Sequence, residues 1–427
     1  MSTTCSKPVQ ILGFLVLVLF FLNFQFNERY GNRGIRTEQI ASEFVQNVTT
    51  TEENIVLKGY LSSKLATTSR LANHIFELVS VYGMSKKLHR KPAIFIEDHK
   101  YTRLIEGMKK ILPGILDKFE IFQKPPPLQA RRYLLNDLCC VYDNPDVLRN
   151  ITDEYLHLTG HFYQSWRYFD TLRTEILSFV KPPIDFSPLP KSDETNFITC
   201  VHIRRGDFVD GQHHASNEKF TRAAVEFIEN TEKQKSNKSL KFLTVIMGDD
   251  ASWEENIFPR VNTIRARKGT QVTKMTSVFV SDNIPQNDLA YARYHCDATL
   301  TTAPSSTFGW WIGYLSKGQT VYYQDIKSTK DVNYRKGHLK PEDFFPPRWT
   351  AINMEGTEHC IKASELSVFL TRSFFFFSTT SIMNVYGIFI FAVLAISSAS
   401  GIYLPGGGKK CGGNGGYGGV IIGSKRD

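Results

Sequence analysis

A chain of 427 residues with 42% hydrophobic and 13% aromatic content can bury one large or two medium cores. Its formal charge of +9 suits an anionic ligand, but the basic residues are dispersed, with no arginine-rich tail or repeated basic–aromatic pattern, so nucleic acid is excluded as a partner. Seven cysteines without a Cys-x-x-Cys or Cys/His array exclude a zinc module.

In chain order, the first element is apolar. Ile11 to Leu22 is an unbroken hydrophobic run, and Pro8 to Phe26 holds only Gln10, Asn23 and Gln25 as strongly polar side chains, close to the roughly 20 residues that cross a bilayer. No small-x-small cleavage site follows; bulky Phe24 and Phe26 and the pair Glu28-Arg29 come instead. Residues 8–26 therefore read as an uncleaved signal anchor behind a cytoplasmic tail 1–7. Flanking charge (Lys7 before, Arg29, Arg33 and Arg36 after) leaves the orientation open. The sequons at Asn47, Asn150 and Asn237 all follow the anchor and place that side in the secretory lumen. Cys139, Cys140, Cys200, Cys296 and Cys360 lie there too, where some of them should pair.

Residues 27–63 are polar and patternless and read as a stem. A first α/β unit over 64–183 follows. Leu71, Ile75, Leu78, Val79 and Tyr82 recur at helical spacing, Pro92–Ile96 reads as a buried strand, and the alternation repeats at Tyr101–Leu112 and Phe119–Phe122. Leu172–Val180 predicts a helix ahead of the Pro182-Pro183 linker. A second unit over 184–366 reads as strand Phe197–Ile203, helix Phe220–Thr231, strand Leu240–Met247, a helix-like stretch from Asn287, a short strand Ala298–Thr301 and an aromatic helix. Arg265 to Lys268 reads as a solvated loop, and Asp249 and Asp250 as loop caps rather than metal ligands.

Two stretches of the second unit carry chemistry. In Thr199-Cys-Val-His-Ile-Arg-Arg-Gly-Asp-Phe-Val209 an apolar strand stops abruptly at His202, Arg204, Arg205 and Asp207. Guanidinium forks suit bidentate phosphate contacts, and Gly206 lets backbone amides approach an anion. His202 and Asp207 would fix that geometry. Downstream, Ser305, Ser306 and Thr307 precede Phe308-Gly-Trp-Trp311, so hydroxyls and free amides gather at a helix start, where the dipole favours negative charge. The two blocks together point to a nucleotide-sugar donor.

With these blocks in place the chain resembles the inverting α-1,2-fucosyltransferases, glycosyltransferase family 11, which share a His-x-Arg-Arg-x-Asp stretch and a downstream Ser/Thr-Phe-x-Trp-Trp-like block. Ser69-Arg-Leu-Ala-Asn-His-Ile-Phe76 is similar to that family's Gly-x-x-Gly-Asn-Gln-x-Phe turn, and Gly160 to Phe169 to its Gly-Tyr-x-x-Ser-Trp segment. The similarity runs from about Leu65 to Thr350. It departs at Ser69 and Ala72, which replace glycines, and at His74, which replaces a glutamine, so a diverged acceptor is expected. The resemblance implies two Rossmann-like α/β domains facing a cleft (GT-B-like), transfer of L-fucose from GDP-fucose to a glycan hydroxyl, O2 of galactose being the family's usual target, and no metal or other cofactor. It assigns His202, Arg204, Arg205, Asp288, Ser305, Ser306, Thr307 and Phe308 to the donor and Asn73 and His74 to the acceptor side. Arg204 and Arg205 would stabilise the leaving diphosphate, without a choice between them; Asp207, Glu77 and Asp288 are candidates for the base. The anchor and lumenal side imply the Golgi membrane. An inactive glycan-binding relative and a transferase using another GDP-sugar are the competing readings.

Residues 367–427 break this pattern. Phe374–Phe377 is followed by Met383 to Ala399, which looks like a secretory hydrophobic region, and Gly406 to Gly423 is glycine-rich. Two joined reading frames, with Met383 opening an unrelated secreted peptide, or a second membrane pass, account for it.

Overall fold

The computed structural model describes residues 57, 59–236, 238–355 and 360–363. The signal anchor, residues 27–56 of the stem, the sequons at Asn47 and Asn237, and the tail 367–427 lie outside the described residues. Among the described residues no helix is long and apolar enough to cross a membrane.

Gly59 sits at a φ of +116°, and any side chain there would run into the Glu154 backbone. The chain turns sharply at this point and delivers β1 (Tyr60–Ser63) to the middle of a five-stranded sheet of order β3-β2-β1-β5-β4. The end of the stretch read as stem is thus a central strand. Its four residues between Gly59 and Lys64 are too short to show a pattern, and Leu61 is nevertheless fully buried. The partners are β2 (Lys91–Phe95), β3 (Glu120–Phe122), β4 (Arg131–Tyr133) and β5 (Tyr155–Leu158), all parallel. Helices α1 (Leu71–Leu88), α2 (Lys100–Lys109) and α3 (Pro113–Leu116) make the crossovers, and α4 (Arg173–Ser178) precedes the linker.

The second sheet has eight strands in the order β13-β12-β11-β10-β6-β7-β9-β8. They are β6 (Asn196–His202), β7 (Lys241–Met247), β8 (Thr263–Ala266), β9 (Val278–Ser281), β10 (Ala298–Thr301), β11 (Thr320–Gln324), β12 (Thr350–Glu355) and β13 (Cys360–Ala363). Only β13 is antiparallel. Between them lie α5 (Gly206–Asp210), α6 (Glu218–Lys235), α7 (Ala251–Ile257), α8 (Pro285–His295), α9 (Thr307–Leu315), α10 (Val332–Arg335) and α11 (Pro341–Phe344). The continuous apolar runs of β6 and β7 follow from helices covering both faces of a parallel sheet. Arg265, expected in a loop, lies in β8, with its guanidinium bound to Asp282 and Glu255 at 2.8 and 3.3 Å.

From β6 the sheet grows one way through β7 and the other way through β10, and His202 at the end of β6 is in register with Thr301 at the end of β10. Parallel α/β sheets bind ligands at this kind of switch point, beyond the carboxyl ends of the diverging strands. Cys200 of β6 and Cys296 just after α8 form a disulfide, as do adjacent Cys139 and Cys140.

One hydrophobic core runs from the first sheet into the second, and another lies between the larger sheet and α6 and α7. Phe76 of α1 packs against Trp310 and Trp311 of α9 with ring centroids 4.5 and 5.0 Å apart, and Phe169 stacks on Trp311. The Trp311 indole N–H donates across the junction to Ala72 O at 3.1 Å, and the Trp310 N–H donates to Phe344 O of α11 at 2.7 Å. The aromatic pair therefore fastens the two sheet layers together, which two independently cored domains would not need.

Candidate functional site

The site grows from the end of β6. His202 is 2% exposed. Its Nδ1 faces Met247 O at 3.3 Å and its Nε2 lies 2.8 Å from Ser306 Oγ. Burial pushes its ring down to about pKa 4, so it is neutral; with Nδ1 carrying the proton toward the carbonyl, Nε2 accepts from the Ser306 hydroxyl. Gly309 is obligatory because a side chain there would strike the His202 ring and Thr301. His202 thus ties the β6 end to the start of α9, with the half-buried Phe308 ring 5.7 Å away.

The two arginines follow immediately. Arg204 Nη2 donates to Asp207 Oδ1 at 2.5 Å and Nη1 pairs with Asp249 Oδ2 at 2.9 Å. Arg205 lays its guanidinium over the Trp253 ring, 4.4 Å from the centroid, donates Nη1 to Ser216 O at 3.0 Å and pairs Nε with Asp250 Oδ2 at 3.3 Å. Its Nη2 has no partner among the described residues. The Arg205 amide donates to Asp249 Oδ1 at 2.8 Å, and Asp250 Oδ1 caps α7 by accepting from Trp253 N at 3.1 Å. Asp249 and Asp250 are caps and arginine holders, and no group of three metal-capable side chains occurs among the described residues. Asp207 also faces Arg70 Nη2 at 3.4 Å, a contact that reaches from the first sheet's side to the second.

The Ser/Thr turn after β10 behaves differently from a hydroxyl cap. Ser305 Oγ donates to Asp331 Oδ2 at 2.5 Å, Ser306 to His202, and Thr307 Oγ1 to Asn73 Oδ1 at 2.9 Å. None of the three caps α9. The first-turn amides of this nine-residue helix are left with no capping side chain, opposite the arginines across the switch point.

The residues expected on α1 turn inward. Asn73 Oδ1 accepts from both Thr307 and Gln164 Nε2, the latter at 3.1 Å, so it is a bridge and not an open acceptor contact. His74 is 7% exposed and bonded to Ala66 O at 3.2 Å. Glu77 is fully enclosed; burial lifts its carboxyl to about pKa 8 against the Ala66 and Phe162 amides it accepts from. Helical periodicity places these side chains on α1 but cannot say that nearly every face of that helix is covered. His74 and Glu77 therefore drop out as acceptor contact and base. Asp288, in the first turn of α8, is likewise buried, raised to about pKa 7 by burial and bound by Ser281 Oγ at 2.6 Å. It sits beyond β9 beside Glu254, another buried acid raised by burial to about 7. Asn150, the one sequon among the described residues, is exposed in a turn.

Sequence reading missed Asp331, Ser216, His213 and Arg70. Burial alone would raise Asp331, yet the His213 ring, the Ser305 hydroxyl and the His214 amide outweigh it and hold the carboxylate at about pKa 2. No local pattern marks it; it caps α10 through the Asn333 amide at 2.9 Å and is brought to Ser305 by the fold. Beside it Gln212, His213, Lys330 and Arg335 line an open groove of about 510 Å³.

The family model Glycosyl transferase family 11 matches residues 35–353. A Caenorhabditis elegans protein named "Putative glycosyltransferase" is 58% identical over 82% of this chain and 96% of its own length. A Galactoside 2-alpha-L-fucosyltransferase of the same organism is 33% identical over 67% of this chain and 75% of its own. Among solved structures, NodZ alpha-1,6-fucosyltransferase soaked with GDP-fucose aligns over 63% of this chain and 96% of its own, at 10% identity and a TM-score of 0.34. A second model, Fungus-induced protein, matches residues 383–426.

Proposed function

This chain belongs to glycosyl transferase family 11, and we propose that it transfers L-fucose from GDP-fucose, with inversion, to a glycan hydroxyl, O2 of galactose being the target named for its relatives. The observation that carries the reading is the pairing, at one switch point, of Arg204-Arg205 after β6 with the uncapped start of α9 after β10. Both ends present positive charge to the same crevice, as a departing diphosphate requires.

In the reaction the acceptor oxygen attacks the anomeric carbon from the face opposite the diphosphate, and negative charge grows on the phosphate oxygens as the C–O bond breaks. Arg205 suits contact with that charge, because Nη2 is open among the described residues while Trp253, Asp250 and Ser216 hold the rest of the fork still. Arg204, with Asp207 and Asp249 at its two ends, orients the loop. We read Asp288, buried in the first turn of α8, as approaching the donor from the β9 side. The two guanidinium groups supply the charge a divalent cation would otherwise bring, so the proposed reaction uses no metal. The anchor-like run at 8–26 and the exposed sequon at Asn150 support a type II Golgi protein with its catalytic part in the lumen.

The test is turnover. The chain is incubated with a panel of GDP-sugars and galactose-ended glycans, and GDP binding is followed by calorimetry. Fucose transfer from GDP-fucose supports the reading; GDP binding with another sugar transferred, or glycan binding without transfer, replaces it. We read residues 383–427 as an unrelated secreted peptide opened by Met383, whose reading frame has been joined to that of its neighbour, since the second family match begins at Met383. One continuous message across codons 366 to 383 in tissue would sink that reading of the tail.

A further inference from the structure

Each carboxylate nominated as the base is committed elsewhere: Asp207 to Arg204 and Arg70, Glu77 to the Ala66 and Phe162 amides inside α1's packing, and Asp288 to Ser281. Building on the fucosyl-transfer reading above, we propose that His213, backed by Asp331, is the general base that takes the acceptor's hydroxyl proton, and that the groove it lines receives the acceptor.

Three observations converge on it. The first is position. The loop carrying His213 turns at Gln212, which adopts a left-handed φ of +65°, and is pinned three residues after His213 at Ser216. Ser216 Oγ accepts from the Arg204 amide at 2.8 Å and from Thr302 Oγ1 at 2.6 Å, while its carbonyl accepts from Arg205. The His213 ring lies 4.7 Å from Phe208, and the Arg204 guanidinium covers that same ring at 5.4 Å. The imidazole is therefore one aromatic ring away from the arginine pair.

The second is the carboxylate behind it. Asp331 is fully buried and fixed by the Asn333 and His214 amides and the Ser305 hydroxyl. Its Oδ2 lies 3.5 Å from His213 Nδ1, an atom that makes no hydrogen bond among the described residues. A buried carboxylate behind Nδ1 sets the tautomer with Nε2 as acceptor and stabilises the imidazolium that forms. Catalytic bonds of this kind are often long until substrate tightens them. The same carboxylate holds Ser305, so one residue links the base to the start of α9.

The third is access. The His213 side chain is 28% exposed and opens onto the groove, whose volume of about 510 Å³ lies in the range of small-ligand sites. The titratable groups facing it are Asp331 behind and Lys330, Arg335, Lys336 and His214 around the groove, the last kept uncharged by burial. The cations oppose an imidazolium and Asp331 favours it. In the step, the acceptor O–H proton passes to Nε2, the oxygen lone pair forms the bond to the anomeric carbon, and the bond to the diphosphate breaks with its electron pair leaving on GDP. The imidazolium then gives its proton to water.

The test uses the full chain, GDP-fucose and the galactose-ended glycan that the wild type turns over fastest. For His213→Gln, kcat should fall about 10²–10⁴-fold, the usual range for a lost general base, with GDP binding and KM for GDP-fucose unchanged and the acidic limb of the kcat–pH profile gone. Asp331→Asn should move that limb to lower pH, because a lost carboxylate makes the imidazolium more acidic. His213→Asn guards against a misfolded glutamine variant. Either His213 variant that binds GDP as the wild type does and turns over within about threefold of it, or that keeps the acidic limb, overturns the assignment. If the wild type itself transfers no fucose, the reading beneath this one fails instead.

Discussion

Helix α1 and the loop after β6 both carry polar side chains that a sequence reader would place in an active site, and they meet opposite fates. On α1, Asn73, His74 and Glu77 are turned into the junction between the two sheets and bind backbone or other side chains. After β6, Arg204 and Arg205 keep partial exposure and stand at a switch point. A long helix that packs on most of its faces converts its polar residues into structural ties, whereas a strand end releases them toward a ligand. Carboxyl-end position in a parallel sheet is thus a better guide to chemistry than residue type.

The sharpest way to test the structural half of this contrast is at the aromatic junction. Trp310→Ala should cost about 3–5 kcal/mol, the range for emptying a fully buried tryptophan site, read as a lower urea midpoint. A loss well under 1 kcal/mol would mean that the two layers are cored separately. The chemical half is tested by Arg205→Ala, which should lower kcat about 10²–10³-fold, the effect of removing one preorganised donor to developing charge, while the urea midpoint barely moves. Equal loss of stability and rate would place Arg205 with the structural residues.

The fold's grammar was legible where periodicity is strong. Helix α1, strands β2, β6, β7 and β10 and the aromatic helix α9 follow from their apolar patterns, and the abrupt end of the β6 run puts the arginine block at a strand end. Strand β1 was not legible, since four residues after Gly59 carry no period, and β8 was hidden by the charges of Arg265 and its neighbours. Asp331 and His213 were invisible for another reason: their meaning lies in a contact between a loop after β6 and a turn after β11, and a linear pattern does not contain it.

Acid titration separates the enclosed carboxyls from the exposed ones. Burial raises Glu77 to about pKa 8, and Glu254 and Asp288 to about 7. In the unfolded chain these groups lose their protons near their ordinary values of about 4–4.5. Below about pH 7 the opposite contribution comes from His202 and His157, which burial holds down to about 4 in the folded chain; between pH 7 and 8, where histidines are largely neutral in both states, the native state binds more protons than the unfolded one, so stability should fall as pH rises. Urea midpoints at pH 7, 7.5 and 8 check the sign, and Glu77→Gln should flatten the slope. A midpoint that does not fall between pH 7 and 8 would show these carboxyls to be charged in the folded chain.

Asn73→Ala is expected to act more weakly. It strands the Thr307 hydroxyl and the Gln164 amide at the junction, a loss of about 1–3 kcal/mol for unsatisfied buried groups, with turnover reduced only as far as α9 shifts. If KM for the glycan rose sharply while stability held, Asn73 would be an acceptor contact after all, and the inward reading of α1 would break at that residue.

The smallest expected effect is none. Chelation with EDTA should leave fucose transfer unchanged, because Asp249 and Asp250, the acidic pair nearest the arginines, already serve Arg204, Arg205 and the α7 amide at Trp253. A cation bound there would have to displace Arg204 from Asp249 and uncap α7, giving up two charge-assisted contacts to gain its own. Activity lost on chelation and restored by manganese would move the neutralising charge from the arginines to a metal, and the contrast between a strand end that binds and a helix that ties would need a third participant.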